Sequence, residues 1–229
     1  MLTPDQSKQF ELIPYRFRKS NEYIAAEADA IGFLRNVLPK IRYFPPAGGW
    51  GLDYQAIAVL VDFVRNSLEP PTILELGSGI STLWIRAALK EYNPHGRIIS
   101  MEEDEKFLSE MEAKIEYYSL TNFGSLLHSP LADMTISNTN YNWYDSSVLP
   151  HELSINALLI DGPITGGTSR DRYPAVPRLF SRLEPESIVI FDDTNRAIEK
   201  EISNEWLRDF EGLSLLFSLH GSTVYIKRG

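Results

Sequence analysis

Residues 72–81 read Thr72-Ile-Leu-Glu75-Leu-Gly77-Ser78-Gly79-Ile-Ser81, and the order of residue types in this stretch decides the fold. A short apolar run of this kind suits a buried strand. It carries an acid near its end and crosses two glycines one residue apart. Gly77 and Gly79 allow a tight turn and a close backbone approach that a Cβ would block. A helical pattern opens at Ser81, and a helix start leaves backbone N–H groups unpaired. The stretch therefore reads as strand, nucleotide-cradling turn and helix, with Glu75 as an acceptor for hydroxyl or amine groups.

Working outward, helical spacing appears over about Ala25–Val37 and again at Ala56, Ile57, Leu60, Val61 and Val64, with Asp53 as a candidate N-cap. Pro70-Pro71 ends that second helix. Ile73–Leu76 reads as the first strand, Ser81–Glu91 as a helix, and Arg97–Met101 as the second strand. A helix through Phe107, Leu108, Met111 and Ile115 follows. Ser125–His128 and Asn156–Ile160 read as further strands, the latter running into Asp161. A helix over Ala175–Leu183 precedes Ser187–Phe191, a strand running into Asp192-Asp193, and Ile198, Ile202 and Trp206 mark a last helix. Alternating strands and helices imply a mostly parallel sheet covered on both faces. The chain ends differently: alternation from Leu213 to Leu219, a His220-Gly221 turn, then Val224-Tyr225-Ile226 predict an antiparallel hairpin.

The chain of 229 residues with 43% hydrophobic content fits one large domain or one with an appendage. Residues 1–50 mix apolar and charged positions and form a candidate helical or loop segment, a lid or an oligomer contact, before a domain at 51–229. No run of 18 apolar residues points to a membrane span, and the N-terminus lacks a signal peptide pattern. Zero cysteines exclude disulfides, thiolate zinc sites and cysteine nucleophiles. A cytoplasmic location is expected. The formal charge of −9 disfavours a nucleic-acid groove, although Arg170, Arg172, Arg178 and Arg182 form a local basic patch.

The Glu75-Leu-Gly77-Ser78-Gly79 turn, the acid Glu102 after Ile98-Ile-Ser-Met, and the closing hairpin together resemble class I S-adenosylmethionine-dependent methyltransferases. The Leu159-Ile-Asp161-Gly-Pro163 and Val189-Ile-Phe-Asp192-Asp193 stretches look most like the small-molecule, catechol-type O-methyltransferase branch. The resemblance covers about residues 50–229. It implies a doubly wound, Rossmann-like, seven-stranded, mostly parallel α/β sheet with an antiparallel C-terminal hairpin strand. Ser81 stands where the family has its third glycine, and this weakens a dehydrogenase reading, in which that glycine permits close helix–strand packing.

By the resemblance, Gly77, Ser78, Gly79 and Ser81 cradle S-adenosylmethionine, Glu102 receives the ribose hydroxyls and Glu75 faces the methionine amino end. Alternatively Glu102 is a solvated acid at a helix start, with Glu103 as a register alternative, and Glu75 is a loop acid bound by amides. Leu131, Ala132 and Asp133 either close the adenine pocket or form a plain loop. Trp50, Gly51 and Asp53 are candidate walls of the cofactor site.

Asp161, Asp192 and Asp193 lie at strand ends, where an open α/β sheet forms its ligand crevice. Adjacent carboxylates repel unless protons or a cation balance them, and oxygen-only ligands suit Mg²⁺ or Ca²⁺. The family holds its metal with an acid after strand four and an Asp-Asn pair after strand five. Asp161 and Asp192 match those acids, making them candidates for catalysis, and Asp193 stands where the family has Asn. Asp161 also faces the cofactor in this reading. The alternative is a turn acid at 161 and helix caps at 192 and 193. The family's lysine base is absent from 162–167, and Arg170 or Arg172 could instead bind an acidic substrate.

His95, His128, His151 and His220 show no metal-ligand spacing, and no Gly-x-Ser-x-Gly elbow or P-loop occurs. The Asn-Pro-Pro-Tyr type of loop of base-methylating enzymes is also absent, which favours an oxygen acceptor on a small molecule. Tyr141, Trp143 and Tyr144 either line its pocket or close the core. An NAD-dependent oxidoreductase and a non-catalytic methyltransferase-like binding protein are the rival readings, and a homo-oligomer is compatible with all three.

Overall fold

The computed structural model describes residues 23–41, 44, 46, 51–165 and 167–229. Among these, helices α1 (Tyr23–Val37) and α2 (Tyr54–Asn66) precede strand β1 (Thr72–Leu76). Then follow α3 (Ile80–Tyr92), β2 (Arg97–Glu102), α4 (Glu105–Tyr117), β3 (Gly124–His128), β4 (Leu131–Ile136) and β5 (Thr139–Tyr144). The chain closes with β6 (Ile155–Ile160), α5 (Ala175–Leu179), β7 (Leu183–Phe191), α6 (Ala197–Asp209), β8 (Leu213–Ser218) and β9 (Thr223–Lys227).

Seven strands form one sheet in the order β3-β2-β1-β6-β7-β9-β8, in which β9 runs antiparallel to both β7 and β8. The expected mostly parallel sheet with its reversed C-terminal strand is present. Successive side chains of a strand face opposite sides, and the core divides accordingly. Ile73, Ala157, Leu159, Ile188, Ile190 and Val224 pack under α2 and α3. Leu74, Leu76, Leu158, Ile160, Val189, Phe191 and Tyr225 pack on the other face with Trp206 of α6. Each buried Val, Leu, Ile or Phe among them contributes about 1.5–3 kcal/mol. By the same alternation Glu75 faces the α3 side, which decides its surroundings.

The order of strands reverses between β1 and β6, so the ligand crevice belongs at their carboxyl ends. Register pairs Leu76 with Ile160 and Ile160 with Phe191. Gly77, Asp161 and Asp192 therefore leave the sheet at one level, on three neighbouring strands.

Two expectations are corrected. Residues 131–133 are not a loop, because β4 and β5 pair antiparallel in a hairpin of their own, with Asp133 exposed opposite Asn142. Its turn uses Ser137 (φ 47°) and Asn138 (φ 65°), the positive angles a two-residue type I′ turn requires. The helix expected to Leu183 ends at Leu179 and tightens into a 3₁₀ turn at Phe180–Arg182. Ala30, Leu34 and Val37 of α1 pack in the α2–α3 cluster. Residues 1–22 and Trp50 lie outside the described residues.

Candidate active site

The turn after β1 rests on Glu75, which is 0% exposed. Its Oε1 accepts from Ser81 Oγ at 2.5 Å, and its Oε2 accepts from Thr82 Oγ1 at 2.6 Å and Ser100 Oγ at 2.5 Å. Burial pushes this carboxyl upward, while the three hydroxyls and the Arg86 charge pull it back. Thr82 Oγ1 in turn accepts from Gly79 N at 3.0 Å. The expectation that Glu75 faces a ligand is corrected: its oxygens fasten the turn to α3 and β2. This also accounts for Ser81 in place of glycine, because a buried carboxylate needs donors.

Gly77 has φ +89°, and a Cβ there would lie 3.0 Å from Gly162 N, so the turns after β1 and β6 are in backbone contact. A Cβ on Gly162 would lie 2.0 Å from the Tyr144 hydroxyl, which comes up from β5. Gly79 differs: its φ is −172°, and the nearest neighbour to a Cβ is Ser81 Oγ at 3.8 Å. Gly79 thus presents open backbone at the start of α3.

Glu102 ends β2 beside this turn. Its Oε2 accepts from Ser78 Oγ at 2.7 Å and Ser78 N at 3.1 Å, and its Oε1 from Asp104 N at 3.0 Å. Burial raises its proton affinity against these bonds. Glu103 accepts instead from Ile164 N at 3.2 Å, across the crevice.

At the other strand ends, oxygens of Asp161, Asp192 and Asp193 lie within 4.8 Å of one another. Burial and the Asp192 charge push Asp161 well above the usual carboxylate range, with Arg172 opposing. Asp192 is pushed up by burial and by Asp193, while the Ser222 hydroxyl at 2.6 Å opposes the shift. Asp193 adopts a positive φ of 61° and pairs with two guanidinium groups, Arg172 at 2.9 Å and Arg196 at 2.7 Å. The set fits an oxygen-ligated divalent cation, since Asp161 and Asp192 remain closely spaced acids after Asp193 is neutralised.

These three acids line a cavity of about 490 Å³. Tyr23 of α1, Gly51, Asp53 and His220 line it too. Tyr23 donates to Asp53 Oδ1 at 2.8 Å and meets the His220 ring edge-on at 5.5 Å. Asp53 sits at the N-cap position of α2 without a side-chain cap bond there.

A family model described as a methyltransferase domain matches residues 74–194, more than half of the chain. The chain belongs to the class I S-adenosylmethionine-dependent methyltransferases. Solved structures share the methyltransferase fold at low identity. A methyltransferase of Podospora anserina bound to S-adenosylhomocysteine matches with TM-score 0.60 and 11% identity, covering 100% of this chain and 98% of that one. The O-methyltransferase of tomaymycin synthesis from Streptomyces achromogenes matches with TM-score 0.56 and 13% identity over 87% and 90% of the two chains. A methyltransferase of Geobacter sulfurreducens matches with TM-score 0.56 and 12% identity over 87% and 88%. A search of curated proteins found no match.

Within the methyltransferase, the sequence-derived residues fall into two groups. Gly77, Ser78, Gly79, Ser81 and Glu102 gather at the β1 and β2 ends, and Asp161, Asp192 and Asp193 gather in the cavity, whereas Asp133 joins neither. Arg170 and Arg172 are not free to receive an acidic substrate. Arg170 pairs with Glu205 at 2.6 Å, and Arg172 is turned onto the acids. Trp143 and Tyr144 are fully buried and close the core, while Tyr141 stacks on Tyr173 at 5.3 Å. Tyr23, Arg196 and His220 had no sequence signal, because each reaches the site from a distant segment. No helix among the described residues is long and apolar enough to cross a membrane.

Proposed function

We propose that this methyltransferase moves the methyl group of S-adenosylmethionine onto a hydroxyl of a small molecule seated over Asp161 and Asp192. The observation that carries the reading is the contact between the turns after β1 and β6, where Gly77 meets Gly162 beside Asp161. A donor lying on the Gly77–Gly79 turn, with its ribose on Glu102, would present its sulfonium toward the acids. The acceptor oxygen would attack the methyl carbon in line, the carbon–sulfur bond would break, and S-adenosylhomocysteine would leave. The hydroxyl proton would pass to Asp161, whose affinity for a proton is raised by burial and by the Asp192 charge. Holding both reactants in line supplies most of the rate, since the donor is already activated.

A Mg²⁺ held by Asp161, Asp192 and Asp193 would lower the acceptor hydroxyl's pKa when bound. The cavity of about 490 Å³ has the size of a small-molecule site, and a charge of −9 argues against a nucleic-acid acceptor. Methyl-tritiated S-adenosylmethionine offered with catechols, sugars and simple alcohols, with and without Mg²⁺, tests the reading. Radioactive product that disappears in Asp161→Ala is expected. Thermal stabilisation by NADH but not by S-adenosylhomocysteine would overturn it in favour of an oxidoreductase. Cofactor binding with no transfer to any hydroxyl would favour a binding protein.

A further inference from the structure

Arg172 lies between Asp161 and α5 and is only 4% exposed. Its Nε donates to the Pro163 carbonyl at 3.1 Å, Nη1 to Asp193 Oδ2 at 2.9 Å, and Nη2 to the Asp161 backbone carbonyl. Nη2 also lies 3.8 Å from the Asp161 carboxylate. One planar fork therefore holds the turn after β6 by two carbonyls and the turn after β7 by a carboxylate. A lysine is a point charge and cannot reproduce this three-way geometry.

Asp193 strengthens the case. Its left-handed φ of 61° is uncommon for a residue other than glycine, and such strain persists where the surroundings over-determine it. Arg172 from within and Arg196 from the rim hold its carboxylate on both sides.

We propose that Arg172 is a positioning residue: it ties the two strand-end turns together and so sets where Asp161 and Asp192 stand relative to an acceptor oxygen. The proposal rests on the cavity being the acceptor site. It acts through the turns and does not need to touch substrate.

Arg172→Gln and Arg172→Lys test this in the full chain, with Arg170→Gln as a control for losing a nearby guanidinium. Each is compared for S-adenosylhomocysteine binding by calorimetry, for kcat with a hydroxyl acceptor accepted by the parent, and for amide exchange by mass spectrometry. For Arg172→Gln we expect kcat to fall about 100-fold, the effect of a misplacement near 1 Å, with the cofactor Kd held within about threefold. Exchange over 162–165 and 193–196 should rise together by about tenfold. Arg172→Lys should recover part of kcat, and Arg170→Gln should keep kcat within about threefold. Unchanged exchange at either turn, or unchanged kcat, overturns the proposal. Loss of cofactor affinity in step with kcat overturns it too, since that marks a general structural role. A parent that methylates no hydroxyl sinks the acceptor reading instead, and the exchange data still decide whether Arg172 joins the turns.

Discussion

Ser81 Oγ lies 2.5 Å from Glu75 Oε1 and donates to it in the buried base of the glycine turn. The hydroxyl occupies the position where the family's third glycine is expected, and the carboxylate under it has no exposure. Removing the donor leaves a buried charged oxygen short of one bond, which costs about 1–3 kcal/mol. Ser81→Ala should therefore lower the urea midpoint of unfolding by that order. The sign of its pH dependence also follows. Burial raises Glu75 in the folded state, and losing Ser81 raises it further. A raised acid gives stability that is complete below its unfolded pKa and lost as pH rises through the folded value. The penalty of Ser81→Ala should be larger at pH 8 than at pH 5, and an equal penalty at both would show that the protonation of Glu75 does not change between them.

Gly162 and Tyr144 make a second testable pair. A Cβ at 162 would stand 2.0 Å from the Tyr144 hydroxyl, so Gly162→Ala forces the ring or the turn to move. Overpacking of this kind typically costs about 1–3 kcal/mol. Tyr144→Phe removes the clashing oxygen, and the double variant should recover most of the loss in a thermal unfolding cycle. Additive losses in the double variant would show that the strain lies in the backbone at 162 instead.

Glycines 77 and 79 should separate fold from ligand. Gly77→Ala meets both a positive φ of 89° and the backbone of Gly162, and should lose about 1 kcal/mol or more of stability together with cofactor affinity. Gly79→Ala has an ordinary extended φ and nothing nearer than 3.8 Å, so its unfolding midpoint should stay near the parent's. If the cofactor rides over Gly79, S-adenosylhomocysteine affinity should nonetheless fall at least tenfold by calorimetry, about 1.4 kcal/mol. Unchanged affinity would remove Gly79 from the cofactor site.

The contrast between these residues shows what was legible in the sequence. The parallel strands, the switch point and the reversed terminal strand were readable because period-2 and helical patterns are local. Asp161, Asp192 and Asp193 were readable as a group because each follows an apolar strand directly. Glu75 departs from the expectation for an equally local reason: one-residue alternation turns it toward α3, into hydroxyls from Ser81, Thr82 and Ser100. The β4–β5 hairpin carries a weak sequence signal because its turn is Ser137-Asn138 rather than a glycine pair. The Tyr23, Asp53 and His220 lining is not readable, since Tyr23 meets Asp53 across 30 residues and His220 lies far beyond both in the sequence. Arg172 was visible only as charge, and its three acceptors depend on two turns meeting in space.

The acid cluster predicts how stability varies with pH and with cation. Asp161 and Asp192 both bind protons more tightly when folded than the usual aspartate value of 3.8, chiefly through burial and, for Asp161, the neighbouring Asp192 charge. The stability they give is therefore complete below about pH 3.8 and lost as pH rises through the raised folded values. Asp161→Asn removes one of the repelling charges while keeping the shape. In EDTA at pH 8 its urea midpoint should exceed the parent's by more than the ~0.5 kcal/mol scatter of surface changes. The advantage should shrink at pH 4.5, where the parent's pair holds more protons. Adding Mg²⁺ at pH 8 should raise the parent's midpoint with concentration, as a ligand of the folded state must, and should raise the variant's far less. A parent midpoint indifferent to millimolar Mg²⁺ would leave the carboxylates balanced by a proton and the two arginines, and the methyl transfer would then proceed on Asp161 as base without a cation.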